Sequence, residues 1–152
     1  MSAGLEVHST RGRPALHEAA LRLRHAAYLH HGHLEPRADG RFDDAHDALD
    51  DAESLLCTLD GQPVGTIRAL RRAAGAPLHR LLCHAAFPDE VAAAVGDAPA
   101  IEFCRFAVHP GCGGPAFLRV KVALLKAALA IVATEGFRLA VASVRDEHLR
   151  FY

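Results

Sequence analysis

The stretch Glu102-Phe103-Cys104-Arg105-Phe106-Ala107-Val108, followed by His109-Pro110-Gly111-Cys112-Gly113-Gly114-Pro115, decides the fold. Its first part reads as a strand over Ala100 to Val108. A carboxylate and a guanidinium inside an otherwise apolar strand are costly to bury alone. Each is therefore either paired or engaged in chemistry. On a regular strand, Glu102, Cys104 and Phe106 share one face, and Phe103, Arg105 and Ala107 share the other. The glycine-rich turn then opens a long helix over Ala116 to Thr134, with Pro115 in its first turn and Gly136 as its stop. Phe137 to Ser143 reads as a strand. The strand–helix–strand unit predicts a right-handed crossover between parallel strands.

Upstream, Ser54 to Leu59 and Val64 to Leu70 are two strands joined by Asp60-Gly61, the signal for a tight hairpin. The hairpin makes the sheet mixed. Pro14 to His30 reads as a helix, because Leu16, Ala19, Ala20, Leu23, Ala27 and Tyr28 follow helical spacing behind a proline in the first turn. Arg24 and Tyr28, four apart, share one helix face. Gly32 to Gly40 is a loop. Phe42 to Ala52 carries Asp43, Asp44, Asp47, Asp50 and Asp51 and is open between a short helix and an ordered loop. Leu78 to Phe87 has no firm type. Pro88 to Val95 reads as a short helix ended by Gly96, and Asp146 to Tyr152 as the start of a last helix. No element is assigned to the first ten residues, which lack the apolar core of a secretory signal.

The chain has 152 residues, 51% hydrophobic and 23% charged, which suits one globular domain over 1–152. Seventeen basic against eighteen acidic side chains leave a net charge of −1. Bulk charge thus points to neither nucleic acid nor an anionic membrane. Arg68, Arg71, Arg72 and Arg80 fall close together and are a candidate local basic patch. The most apolar run, Phe117 to Ala133, contains Arg119, Lys121 and Lys126, so no membrane span is expected. Leu118, Val122, Leu125 and Leu129 are assigned to the core by default, with some of them candidates for lining a pocket. Cys57, Cys83, Cys104 and Cys112 form no CxxC pair, which argues against a zinc site or disulfide framework and for a reducing cytoplasm. His30, His31 and His33 are read as exposed loop histidines rather than metal ligands, and no metal site is expected. Cys104 is read as a small buried hydrophobe.

Four phrases, in order along the chain, resemble the acyl-homoserine-lactone synthases and the related N-acyl amino acid synthases, a branch of the GNAT superfamily. RHAAY, with Arg24 and Tyr28, is similar to that family's first-helix arginine and aromatic. DDAHD, with Asp44 and Asp47, is similar to its paired acids. PVGTIRAL, ending near Arg68, is similar to its glycine-to-arginine strand. EFCRFAV, with Glu102 and Arg105, is similar to its most diagnostic strand. The resemblance runs from about Leu21 to Phe106, with weaker support to Tyr152. It implies an α/β (α+β) fold with a mixed, twisted central sheet flanked by helices and a V-shaped cleft between two parallel strands.

It also implies an N-acyltransferase that moves a fatty-acyl group from an acyl carrier protein or acyl-CoA thioester to the amine of an amino acid. No bound cofactor is expected. The partners expected are the acyl carrier protein and a small amine. Phe42 stands where the lactone synthases carry a further acid, and the chain has no tryptophan. Both departures favour an amino-acid acceptor over S-adenosylmethionine. The rivals are a lactone synthase, an acetyl-CoA-dependent GNAT and an inactive GNAT-like binding module. The sequence ends at Phe151-Tyr152, where GNAT domains usually continue into a final strand pair, so the expectation is either a truncated chain or a domain completed in an unusual way.

The expected roles follow. Glu102 is the candidate general base, through a water, because an amino-acid amine must lose a proton before it attacks. Backbone N–H groups near Phe106 to Val108 are candidates for holding the oxyanion. Gly111, Gly113 and Gly114, at the start of the long helix, are candidates for the phosphopantetheine phosphate. Arg24, Asp44, Asp47, Arg68 and Arg105 are expected to form one polar network beside the acceptor, with one arginine holding its carboxylate. Tyr152 is a candidate general acid.

Overall fold

A computed structural model describes residues 4–144. Five strands form one sheet in the order β1 (Leu5–Ser9), β2 (Ala52–Leu59), β3 (Gln62–Arg72), β4 (Ala100–Val108) and β5 (Ala140–Val141). The first three pairings are antiparallel and the last is parallel, so the sheet is mixed, as the hairpin and the crossover required. Helix α1 (Pro14–His30) covers one face and α3 (Gly114–Glu135) the other, while α2 (Pro88–Val95) sits beside the start of β4.

The hairpin forms as its turn chemistry dictates. Asp60 and Gly61 both take positive φ, +50° and +78°, and Leu59 pairs with Gln62. This is the mirror-image turn whose twist matches that of its strands. The Asp60 carboxylate also accepts the Gly4 N–H at 2.9 Å, which ties the turn to the start of β1. Strand β1 escaped the sequence reading. Its register, Leu5 opposite Leu59 through Ser9 opposite Leu55, places Leu5 and Val7 against the α3-side core.

Helix α1 buries Ala20, Leu23 and Ala27 against Leu56 and Ala107. Helix α3 buries Val120 and Leu124 against Leu55, Cys57, Ile67 and Val108. Gly65 makes this approach possible, since a Cβ there would collide with Val120 Cγ1. The core stripe of α3 is Val120, Leu124 and Ala128. The expected core stripe of Leu118, Val122, Leu125 and Leu129 is corrected, with Leu118 60% and Leu129 64% exposed, although Leu125 and Leu129 do line a cavity as some of the four were expected to. The helix is apolar on nearly every side, so spacing alone did not single out the inward face.

Strand β5 is two residues long, against the expected Phe137 to Ser143. It pairs with β4 only at Ile101–Ala140 and Glu102–Val141. Beyond that point β4 runs on to Val108, and the two strands part. Leu78 to Phe87 resolves into two 3₁₀ turns, Leu78–Arg80 and Leu82–Ala85, and the acidic segment into one, Ala45–Ala48. The last helix expected over Asp146 to Tyr152 lies outside the described residues.

Candidate active site

Strand β4 carries a bulge. Thr66 pairs with Ala107 and Arg68 with Cys104, so Arg105 and Phe106 together oppose Ile67. Arg105 supplies the extra residue in left-handed backbone, φ +54°. A non-glycine residue there carries strain, and such strain concentrates at functional sites. The bulge corrects the expected alternation. Arg105 turns onto the α1 face beside Cys104, and Phe106 joins Phe103 and Val108 on the α3 face.

On the α1 face the structure brings Arg24, Asp44, Asp47, Arg68 and Arg105 into one chain of ion pairs. Arg24 Nη1 reaches Asp47 at 3.0 Å, and its Nη2 donates to Ser54 Oγ at 3.2 Å. Arg68 grips both Asp44 oxygens, at 2.7 and 3.2 Å, and meets Asp47 at 2.8 Å. Arg105 donates through Nε and Nη2 to Asp44 Oδ2, at 3.0 and 2.7 Å. Asp44 and Asp47 are presented by the 3₁₀ turn Ala45–Ala48, in which each caps the other's backbone. The turn exists because paired short acids satisfy its free N–H groups locally.

Arg24 and Arg68 are fully buried, whereas Arg105 is 24% exposed. Burial alone would raise the Asp44 carboxyl. The hydrogen bonds and charges of Arg68 and Arg105 overcome it and hold that carboxyl well below the usual range. Asp47 is likewise lowered, with Arg24 and Arg68 outweighing burial. The candidate basic patch is dispersed. Arg68 and Arg72 are buried, Arg71 pairs with Glu53 and Glu135, and Arg80 pairs with Asp51.

Where β4 and β5 part, a cavity of about 570 Å³ opens. That is within the roughly 300–1,000 Å³ of small-molecule sites. Its walls are β4 from Phe103 to Val108, residues 140–144, one flank of α3 with Phe117, Leu125 and Leu129, and the end of α1 with Tyr28, His31 and His33. One end is therefore polar, with Tyr28, His31, His33 and Arg105. The α3 flank is apolar. Phe42 stacks under the Arg105 guanidinium at 4.9 Å and meets Tyr28 edge-on at 5.2 Å. Burial raises the Tyr28 phenol above its ordinary value, against the opposing charge of Arg105.

Glu102 is fully buried on the α1 face and is not part of the cavity lining. Its carboxylate accepts the Cys83 N–H, at 3.1 and 3.2 Å to its two oxygens. Burial raises its proton affinity, and the N–H groups of Cys83 and Leu82 pull the other way. Cys104, two residues along, does line the cavity, and its sulfur accepts the Arg68 Nε–H at 3.4 Å. Burial pushes that thiol up to about 11, which leaves it a poor nucleophile. Phe106 and Val108 line the cavity, whereas Gly111, Gly113 and Gly114 lie in the turn at the start of α3 and do not. Tyr152 lies outside the described residues. Among the described residues no side-chain cluster could hold a metal, and no helix is long and apolar enough to cross a membrane.

Among the polar lining residues, His31 and His33 are the ones to which the sequence assigns no role at the site. Their local signal is only that they follow the helix carrying Arg24 and Tyr28, and nothing local says that this end faces the split in the sheet.

A mixed sheet, bulged on one strand and parted from its parallel neighbour around a cleft, defines the GNAT class, and the chain is an N-acyltransferase of that class. The family model of the N-acyl amino acid synthase FeeM matches residues 19–152, so the chain belongs to that family. Among solved structures, it is similar to FeeM, an N-acyl amino acid synthase from uncultured soil microbes, at 15% identity and TM-score 0.72, over 99% of this chain and 77% of that one. The CoA-dependent acyl-homoserine lactone synthase BjaI is similar at 23% identity and TM-score 0.72, over 97% of this chain and 70% of that one. A Trypanosoma brucei acetyltransferase is similar at 15% identity and TM-score 0.60, over 98% and 89%. No curated protein matches.

Proposed function

We propose that the chain moves a fatty-acyl group from a carrier thioester, on acyl carrier protein or coenzyme A, to the amine of an amino acid, giving an N-acyl amino acid. The observation that carries this reading is the two-ended cavity in the sheet split, charged at the α1 end and apolar along α3. An N-acyl amino acid has the same two ends. The apolar flank takes the acyl tail, and the polar end takes the amino acid.

The three arginines then separate by role. Arg24, sealed and paired with Asp47, and Arg68, sealed and paired with Asp44 and Asp47, hold the 3₁₀ turn against the sheet. Arg105 alone of the three lines the cavity, and it binds the acceptor carboxylate. The Phe106 to Val108 backbone, along the open edge of β4, supplies N–H donors to the oxyanion. The turn at Gly111, Gly113 and Gly114 presents the positive end of α3 to the phosphopantetheine phosphate. Glu102, with its raised proton affinity, takes a proton from the attacking nitrogen through a water and returns it to the departing sulfur.

Lipid extracts of cells overexpressing the chain, compared with Glu102→Gln, test this. A new N-acylated amino acid is expected only from the unaltered protein, and equal extracts would overturn the reading. The similarity to BjaI favours one alternative acceptor. Purified protein offered S-adenosylmethionine in place of amino acids would then yield an acyl-homoserine lactone, recognised by mass.

A further inference from the structure

We propose that His31 and His33, stacked at the polar end of the cleft, accept the first proton from the acceptor's ammonium group; this rests on the N-acylation reading above. Their placement is built into the end of α1. The His31 N–H reaches Ala27 O at 3.2 Å, the Gly32 N–H reaches Leu29 O at 3.1 Å, and the His33 N–H reaches Tyr28 O at 2.9 Å. Gly32 sits in left-handed backbone, φ +70°. Those bonds and that glycine make a Schellman cap, which fixes the residues on both sides of the glycine. The two imidazoles consequently stack, centroids 6.1 Å apart and planes 29° from parallel, and both line the cavity beside Tyr28 and Arg105.

The reaction demands a proton acceptor at this place. An ammonium that becomes an amide loses two N–H bonds. One proton leaves before attack, so that nitrogen has a lone pair. The C–N bond then forms, the C–S bond breaks, and the second proton ends on sulfur as the free thiol. The first proton must reach bulk water, and the fully buried Glu102 carboxylate has no direct path to it.

Among the described residues lining the cavity, the ionisable ones are Tyr28, His31, His33, Cys104 and Arg105. A guanidinium has no lone pair to offer, and burial holds both Tyr28 and Cys104 in their neutral acid forms. That leaves the imidazoles, whose neutral rings each carry a nitrogen lone pair that can accept a proton. The titratable or charged side chains that share the cavity with them are Tyr28, whose ring lies 6.4 Å from that of His33, and Arg105 and Cys104 on β4, and the His30 ring lies 5.2 Å from that of His31. The α3 and 140–144 walls bring no ionisable side chain to the cavity. Both histidines are exposed, so the protonated imidazole passes its proton to water and resets.

The test compares purified wild type, His31→Gln, His33→Gln, the double variant and Glu102→Gln over a pH series, with an acyl thioester and an amino acid. The double variant is expected to lose about 10²-fold in kcat/KM at pH 7. Its deficit should shrink as alkali deprotonates the amine. An aminooxy acid, whose amine is already neutral, should restore near wild-type rates. Glu102→Gln should lower the rate with the acid limb in place. The proposal is overturned if the double variant keeps the wild-type rate and pH profile. It is equally overturned if that variant only raises KM for the amino acid and handles the aminooxy acid no better, for then the pair binds the carboxylate. A wild type that acylates no amino acid sinks the parent reading as well, whereas an active wild type with an unaltered double variant sinks the histidine role alone.

Discussion

Arg68 and Arg105 both hold Asp44, yet they belong to different kinds of site. Around Arg68 the surroundings are closed: the guanidinium is fully buried, and its donors go to Asp44, Asp47 and the Cys104 sulfur. Around Arg105 they are open: the backbone is left-handed, the side chain is partly exposed, and one flank faces the cavity. The same residue types thus serve structure where the packing excludes water and recognition where it admits a ligand. Sealing, rather than the presence of ion pairs, separates the two halves. Variants in the closed half should therefore cost stability, and variants in the open half should cost activity.

The largest expected effect is in the closed half. Asp47, 5% exposed, is shared by Arg24 and Arg68. Asp47→Ala strands a buried guanidinium, and breaking a buried pair in this way costs about 3–5 kcal/mol. The melting temperature should fall by on the order of 10 °C. A drop of only a degree or two would show that water reaches the network and would erase the contrast drawn above.

Acid should produce a smaller loss in the same region. Asp44 and Asp47 both have folded-state proton affinities below the ordinary carboxylate value of about 3.9. As pH falls through about 4, the unfolded chain binds protons before the folded one does. The stability these residues contribute is present above that pH and drains away below it. Glu102, shifted the other way, contributes in the opposite sense, with a share lost as pH rises above about 4.3. Urea unfolding at pH 5 and pH 3 should differ by about 1–2 kcal/mol, and Asp44→Asn should flatten the difference. An unchanged slope in that variant would place the acid sensitivity elsewhere.

What could be read from the sequence divides along the same line. Helices α1 and α2 and strand β4 have the limits their spacing and punctuation dictate, because Pro14, Pro88, Gly96 and the alternation over 100–108 are local signals. The grouping of Arg24, Asp44, Asp47, Arg68 and Arg105 came from family-like phrases, and the structure brings the five together. What stayed hidden depends on long-range geometry. Strand β1 is short and weakly apolar and takes its order from β2. The bulge at Arg105 reflects the pairing with β3, so alternation misassigned Arg105 and Phe106. The inward face of α3 is fixed by the missing side chain at Gly65, far away in the chain. The cleft-lining role of His31 and His33 depends on where β5 stops pairing.

The smallest structural effect belongs to the open half. Leu129 is 64% exposed, yet it forms part of the apolar flank of the cavity. Leu129→Ala removes little that the folded chain buries, so its stability should stay within about 0.5 kcal/mol of wild type. For a long acyl donor the same change removes methyl and methylene groups from the surface the tail lies on. A loss of about 1 kcal/mol of tail binding, on the scale of roughly one methylene, would raise KM for that donor about fivefold. An acetyl donor, with no tail to reach the flank, should be handled equally by both proteins. If acetyl and long-chain donors suffered alike, the flank would be acting on protein stability or on the carrier, and the tail would run along a different wall of the cleft. If stability fell while KM held, Leu129 would belong to the core after all, and the boundary between closed and open halves would have to move outward along α3.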